Sequence, residues 1–226
     1  MSAEVPVPAR AEAAPAPTRV VSVRARRLSV ARIDIILLIA LFVIAMVPRA
    51  AWVAYNDRPP QGLNDPSLYV LFGDLIADGK GYTRPTGEKF AYYPVGYPAM
   101  LGGLKKAGDL FGWGRSTFSI KITNAIFGAL TVLLAYLLAA RLLDRRVGFA
   151  AGVLLAIFPS QVFYTGTTLS EPMFTLLLTA ALLVIVWHPW DRDGMGWQRL
   201  FAAGLLLGAA TMTRAITLAF PLLLLV

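Results

Sequence analysis

Two apolar runs, residues 33–55 and 117–143, decide what this chain can become. At ~1.5 Å per residue, each is long enough to cross the ~30 Å hydrocarbon core of a bilayer. Inside a bilayer the backbone must satisfy its own hydrogen bonds, and a helix does so within one segment. The composition agrees: charged residues are only 15% of the 226, where a soluble domain carries about 25%. Mean hydropathy is +0.63. There is no cysteine, which excludes disulfides, zinc-thiolate sites and cysteine nucleophiles. A lone histidine, His188, leaves no room for a histidine-rich metal site.

The formal net charge is +8, but the basic residues crowd into the N-terminal tail and the helix ends. That distribution follows membrane orientation rather than nucleic-acid contact, and no nucleic-acid recognition motif accompanies it. Residues 1–32 read as a disordered, basic cytoplasmic tail, rich in Ala and Pro and carrying Arg19, Arg24, Arg26, Arg27 and Arg32. The positive-inside rule keeps this tail in the cytoplasm. Residues 33–226 are expected to form one membrane domain with spans near 33–55, 117–143, 147–163, 172–187 and 200–226. Arg141, Arg145 and Arg146 form an inner basic turn, in keeping with that topology. The chain stops at Val226 inside an apolar run, as expected of one piece of a longer protein.

The fold class expected is therefore all-α: a polytopic transmembrane bundle with a long extracytoplasmic first loop, residues 56–116. Within that loop Asp65 and Pro66 open a short amphipathic helix ending near Asp78 and Gly79. Leu68, Leu71, Phe72, Leu75 and Ile76 recur on one face of it at spacings of three and four. A second surface helix is expected over 97–110, and a short outer loop over 160–170.

Each polar residue facing this outer side has a plain role and a chemical one. Asp65 before Pro66 suits a helix start, with Asp as N-cap. It also stands at the membrane surface, where a carboxylate can take a proton from an acceptor hydroxyl. Ser170 and Glu171 before Pro172 suit a helix start as cap and dipole-matched acid, yet Glu171 faces the same side as Asp65. Tyr69, Tyr93 and Tyr97 border the loop as interfacial anchors or as walls for a sugar or lipid head group. Arg214 interrupts the run 200–226. It marks either the outer end of a short span or a cation for a lipid phosphate. Lys105, with Lys106 and Arg115, is a phosphate contact or a lipid-surface anchor. Two carboxylates without a histidine partner name no metal site, and leave a divalent cation (Mg or Mn) open.

The ordered set of segments resembles the GT-C superfamily of polyprenyl-phosphate-sugar glycosyltransferases. Those segments are Asp-Pro-Ser-Leu-Tyr at 65–69, Leu-Ile-Ala-Asp-Gly-Lys-Gly-Tyr at 75–82, and Pro-Val-Gly-Tyr-Pro at 94–98. They continue with Leu-Ser-Glu-Pro at 169–172 and Gly-Leu-Leu-Leu-Gly at 204–208, leading to Thr213 and Arg214. The nearest branch is similar to glycosyltransferase family 39, the protein O-mannosyltransferase and aminoarabinose transferase group, matched by its N-terminal part over roughly 33–226. The resemblance implies an inverting transfer from a polyprenyl-phosphate-linked sugar to a lipid, glycan or protein acceptor, on the outer face of a bacterial inner membrane. It implies Asp65 as catalytic base, Glu171 as a second catalytic acid, and Arg214 as a basic residue holding the donor phosphate. Pro66 after the acid points to the broader bacterial group. The rival class is a transporter or a non-catalytic accessory subunit in contact only with membrane lipids. A cysteine introduced beside Asp65 is expected to react with an impermeant reagent from outside the cell; labelling from the cytoplasmic side alone would end the transferase reading.

Overall fold

The structure is a computed structural model describing residues 32–56, 58, 64–187 and 196–219. The tail before Arg32, His188 and the end of the last expected span, 220–226, lie outside the described residues. Among the described residues every regular element is helical, apart from an isolated bridge between Thr83 and Lys89. The helices are α1 (Arg32–Tyr55), α2 (Asp65–Ala77), α3 (Gly96–Phe111), α4 (Thr117–Leu142), α5 (Arg145–Ile157), α6 (Pro159–Phe163), α7 (Glu171–Val186) and α8 (Trp197–Thr213). The protein is thus an all-α membrane bundle. Helices α1 and α4 are long and apolar enough to cross a membrane, and α7 is a shorter apolar helix.

Helix α4 is the central post, packed against α1, α5 and α7, while α8 leans on α7. The core between α1, α4 and α5 is made of Leu41, Ala45, Val132, Tyr136, Ala140 and Ala156, all buried. Polar contacts at the two ends fix the directions. At one end Asp34, in the first turn of α1, accepts from Tyr136 Oη at 2.7 Å and pairs with Arg145 at 2.8 Å. At the other, Lys121 in the first turns of α4 donates to the carbonyls of Asn56 and Arg58. Helices α1 and α4 are therefore antiparallel, and α2 and α3 lie at the end where α1 finishes and α4 begins.

The third span, expected over 147–163 with a stop near Pro159, begins as helix α5. It stops at Ile157, and α5 and the segment from Pro159 to Gly166 are bent by 55°. Proline supplies no N–H to the carbonyl four residues back, and the residue before it leaves the helical region. Phe158 does so at φ −63°, ψ 118°. The break strands carbonyls at the end of α5, and Arg49 covers them. Its side chain is 1% exposed and donates to Ala156 O at 2.7 Å and Ala45 O at 2.9 Å. The segment 160–170, expected as a loop, begins as α6 and a 3₁₀ turn over Tyr164–Gly166.

The buried face of α2 also differs from the periodic one. Tyr69, Phe72, Gly73, Leu75 and Ala77 are buried, whereas Leu71 is 37% exposed. The cause is backbone approach. A Cβ on Gly73 would sit 2.8 Å from Leu101 Cβ, and one on Gly102 would sit 2.6 Å from Ile76 Cγ2. Helix α3 packs on this narrow glycine track, which rotates Leu71 away. Lys105 completes the pair. It is 3% exposed, with Nζ 2.7 Å from Asp74 and 3.2 Å from Val70 O.

Replacing Arg49 by Leu should leave the α5 carbonyls without a donor and cost about 2 kcal/mol. In detergent this reads as a lower unfolding temperature with the same helix content by circular dichroism. An unchanged melt would remove Arg49 from the bracing of the broken helix.

Candidate functional site

The antiparallel packing collects four helix ends: the first turns of α2, α4 and α7 and the last turn of α8. Asn64, not Asp65, caps α2. Its Oδ1 accepts from Ser67 N at 3.2 Å and Ser67 Oγ at 3.0 Å. Asp65 is the first helical residue, and its carboxylate is spared the capping role the sequence offered it. It accepts from Tyr93 Oη at 2.7 Å instead. That hydrogen bond, which keeps the phenol protonated, pushes Tyr93 up to about 12, with burial adding to it.

Tyr69 occupies the middle of the cluster, 6% exposed. Its ring meets Tyr93 and Tyr97 edge-on, with centroids 5.3 and 5.2 Å away. Burial pushes Tyr69 above the usual tyrosine range, the charges of Asp65 and Glu171 add to this, and Ser170 and Arg214 oppose it. Tyr97 is wholly buried, and burial raises it as well.

On the other side of Tyr69, Ser170 does not cap α7 with its side chain. Its Oγ accepts from Arg214 Nη1 at 3.4 Å, and the same nitrogen lies 2.7 Å from Glu171 Oε1. Helix α8 ends at Thr213, so Arg214 stands in extended backbone just past a helix end, with its guanidinium 6.0 Å from the Phe174 ring centroid. Gly96 makes that placement feasible: a Cβ there would come within 2.6 Å of Met212 O, so only glycine lets α3 begin against the end of α8. Asn124 closes the cluster from α4. Fully buried, it donates from Nδ2 to Tyr97 Oη at 2.9 Å and to Thr167 O at 3.0 Å.

Asp65, Tyr69, Tyr93, Tyr97, Glu171 and Arg214 are thus brought together. Lys105 is not; it is committed to Asp74 and braces α3 on α2, a correction to its reading as a phosphate contact or surface anchor. Arg115 is likewise held by Asp109 and Asp78, at 2.8 and 2.7 Å. Among the described residues no group of three His, Cys, Asp or Glu gathers, so Asp65 and Glu171 gain no third ligand for a divalent cation. One participant was not singled out from sequence, Asn124, and Ser170 was read there only as a helix cap, a role its side chain does not take. Asn124 carried a signal, as an amide inside the apolar run 117–143. A pocket of about 190 Å³ opens beside the first turn of α2, lined among others by Asn64, Pro66, Lys121, Thr167 and Thr168.

Fold and site together define an all-helical membrane protein with a carboxylate–tyrosine–arginine cluster at one end of its bundle. The chain belongs to the dolichyl-phosphate-mannose-protein mannosyltransferase family, whose sequence profile matches residues 107–226. Glu171 and Arg214 lie inside that match, and Asp65 precedes it. It is also similar to the undecaprenyl phosphate-alpha-4-amino-4-deoxy-L-arabinose arabinosyl transferase of Pseudomonas aeruginosa strain PAO1. The two are 35% identical over 108 residues, 45% of this chain and 19% of that protein. The protein of the same name from Pseudomonas paraeruginosa strain PA7 is 34% identical over the same coverage. The chain spans about a fifth of the length of these relatives. No solved structure matches it significantly.

The Tyr93–Asp65 bond has a definite pH dependence. A raised tyrosine favours the protonated donor, so the contact is complete below about 10 and is lost as pH rises through about 12. Ultraviolet titration of tyrosinate should therefore show several late-titrating tyrosines, one of which shifts to lower pH in Asp65→Asn. An identical titration in the two proteins would mean the pair is not formed in solution.

Proposed function

We propose that this chain forms part of a membrane glycosyltransferase that moves a sugar from a polyprenyl-phosphate donor to an acceptor hydroxyl, with inversion, on the extracytoplasmic face. The observation that carries the proposal is that the Tyr93–Asp65 hydrogen bond, packed on buried Tyr69, and the Arg214–Glu171 ion pair lie at one end of the helices. Family membership supports the reaction class. The relatives, undecaprenyl phosphate-alpha-4-amino-4-deoxy-L-arabinose arabinosyl transferases by name, support a polyprenyl-phosphate-linked sugar as the donor class. The proposed topology puts the N-terminus in the cytoplasm and the cluster outside, in a multi-pass protein of the inner membrane.

In this mechanism Asp65 accepts the proton of the acceptor hydroxyl. The acceptor oxygen bonds to the anomeric carbon as the bond from that carbon to the phosphate oxygen breaks. The leaving polyprenyl phosphate takes the electron pair, and a single displacement from the opposite face inverts the configuration. Tyr93 orients the Asp65 carboxylate through the 2.7 Å hydrogen bond. Arg214 meets the charge gathering on the phosphate, a task suited to a guanidinium fork. Glu171 is the counter-ion that fixes Arg214 before donor arrives. The acceptor is a lipid, glycan or protein hydroxyl.

The test is transfer from a labelled polyprenyl-phosphate sugar, in membranes holding the full-length gene product with Asp65 intact or changed to Asn. A general base contributes roughly 10²–10⁴-fold, so Asp65→Asn should lower transfer by at least about 10²-fold at equal membrane levels. Equal transfer in both would return Asp65 to a helix start, and would favour the accessory or transport role.

A further inference from the structure

The segment 75–82 of the ordered set ends in Tyr82, which the proposed transfer does not use. Between the end of α2 at Ala77 and the start of α3 at Gly96 the chain makes a short hairpin. Its turn closes with Gly87 N donating to Arg84 O at 2.9 Å and Arg84 N donating to Glu88 O at 2.7 Å, with Gly87 at φ 87°. Thr83 bridges to Lys89 across the arms. Two arms this short do not hold themselves in water, so side chains must fix them. They do so on Phe72 of α2, which is 2% exposed. Phe90 stacks on that ring at 4.4 Å, and Tyr82 meets Phe72 and Phe90 edge-on at 5.2 and 5.7 Å.

Among the described residues the last backbone hydrogen bond between the arms runs from Phe90 N to Tyr82 O, at 3.4 Å. Tyr93 lies three residues beyond it, and there the Tyr82 side chain takes over. Its Oη donates to Tyr93 O at 2.9 Å, and Tyr93 Oη donates in turn to Asp65 Oδ1 at 2.7 Å. One hydroxyl thus grips the backbone of the residue whose own hydroxyl grips the carboxylate. Burial pushes Tyr82 up to about 12, with neighbouring Tyr69 adding to it, so the hydroxyl stays a donor at neutral pH. Ring and hydroxyl have separate tasks: the ring completes the aromatic box, and only the hydroxyl reaches the Tyr93 carbonyl. We propose that Tyr82 is a positioning residue for Asp65, its hydroxyl setting, through the Tyr93 carbonyl, where the Tyr93 phenol meets the carboxylate. The hairpin, and not α2 alone, then aims the group that takes the acceptor proton, an inference that rests on the proposed transfer.

The test compares transfer in membranes holding the full-length gene product as wild type, Tyr82→Phe, Tyr93→Phe, the two together, and Asp65→Asn, at equal levels. Tyr82→Phe removes one oxygen and keeps the ring on Phe72. It should lower kcat about tenfold, as a misplaced reacting group does, with KM for the labelled polyprenyl-phosphate sugar unchanged. Added to Tyr93→Phe it should lower kcat no further, because the two hydroxyls act in series. Losses that multiply in the double variant overturn the inference, and so does a kcat in Tyr82→Phe equal to wild type. In either case a loss in Asp65→Asn leaves the proposed function standing, whereas unchanged transfer in Asp65→Asn overturns both. Tyrosinate titration of the purified protein reads the contact without activity. The Tyr93 component, taken as the difference that Tyr93→Phe makes, should move to lower pH when Tyr82→Phe is present. A Tyr93 component that stays in place overturns the positioning role.

Discussion

The end of the bundle that carries the site depends on one amide. Asn124 sits in α4, fully buried, and reaches Tyr97 Oη in α3 and the carbonyl of Thr167 ahead of α7. Those two contacts come from segments that are far apart along the chain. One leads through Tyr97 to Tyr69 and the α2 turn that bears Asp65. The other leads within a few residues to Ser170 and Glu171. An unpaired carbonyl in a low-dielectric setting is expensive, so a single donor facing both segments holds them in register. The site's geometry is in this sense a consequence of where α4 places one polar side chain.

Elsewhere the bundle admits polar groups where an interrupted helix or a helix end calls for them. Pro159 breaks the third apolar run, and Arg49 donates into the gap. Asp34 and Arg145 clamp the start of α1 to the start of α5. Lys121 covers carbonyls just past the end of α1. Each cation lies against backbone oxygens or a carboxylate, as polar groups at membrane depth require. Arg141 departs from that rule: it is buried, and among the described residues its Nε and Nη2 have no hydrogen-bond partner.

The catalytic proposal gains its specificity from the same economy. Asn64 takes the capping task, so Asp65 is left to Tyr93. Ser170 leaves its cap position unfilled, so its hydroxyl accepts from Arg214 instead. In both loops the residue that looks like a helix-start signal is offset by one from the residue doing the capping, or is relieved of it. That offset leaves the Asp65 carboxylate to Tyr93 rather than to backbone N–H groups.

The sequence by itself determined the membrane class and the all-α architecture, because both follow from run length and hydropathy along a single stretch of chain. Most of the cluster was also legible, since Asp65, Glu171 and Arg214 are polar residues standing beside apolar runs. Only the tertiary structure decided which polar groups meet. It turned Lys105 inward onto Asp74 and rotated Leu71 away from the buried face of α2, because the Gly73–Gly102 contact admits α3 at one rotation. It brought Asn124 between two distant segments and set Arg214 against Glu171. Periodicity reports what one helix prefers to bury, whereas these pairings depend on backbone approach between helices, which no local pattern encodes.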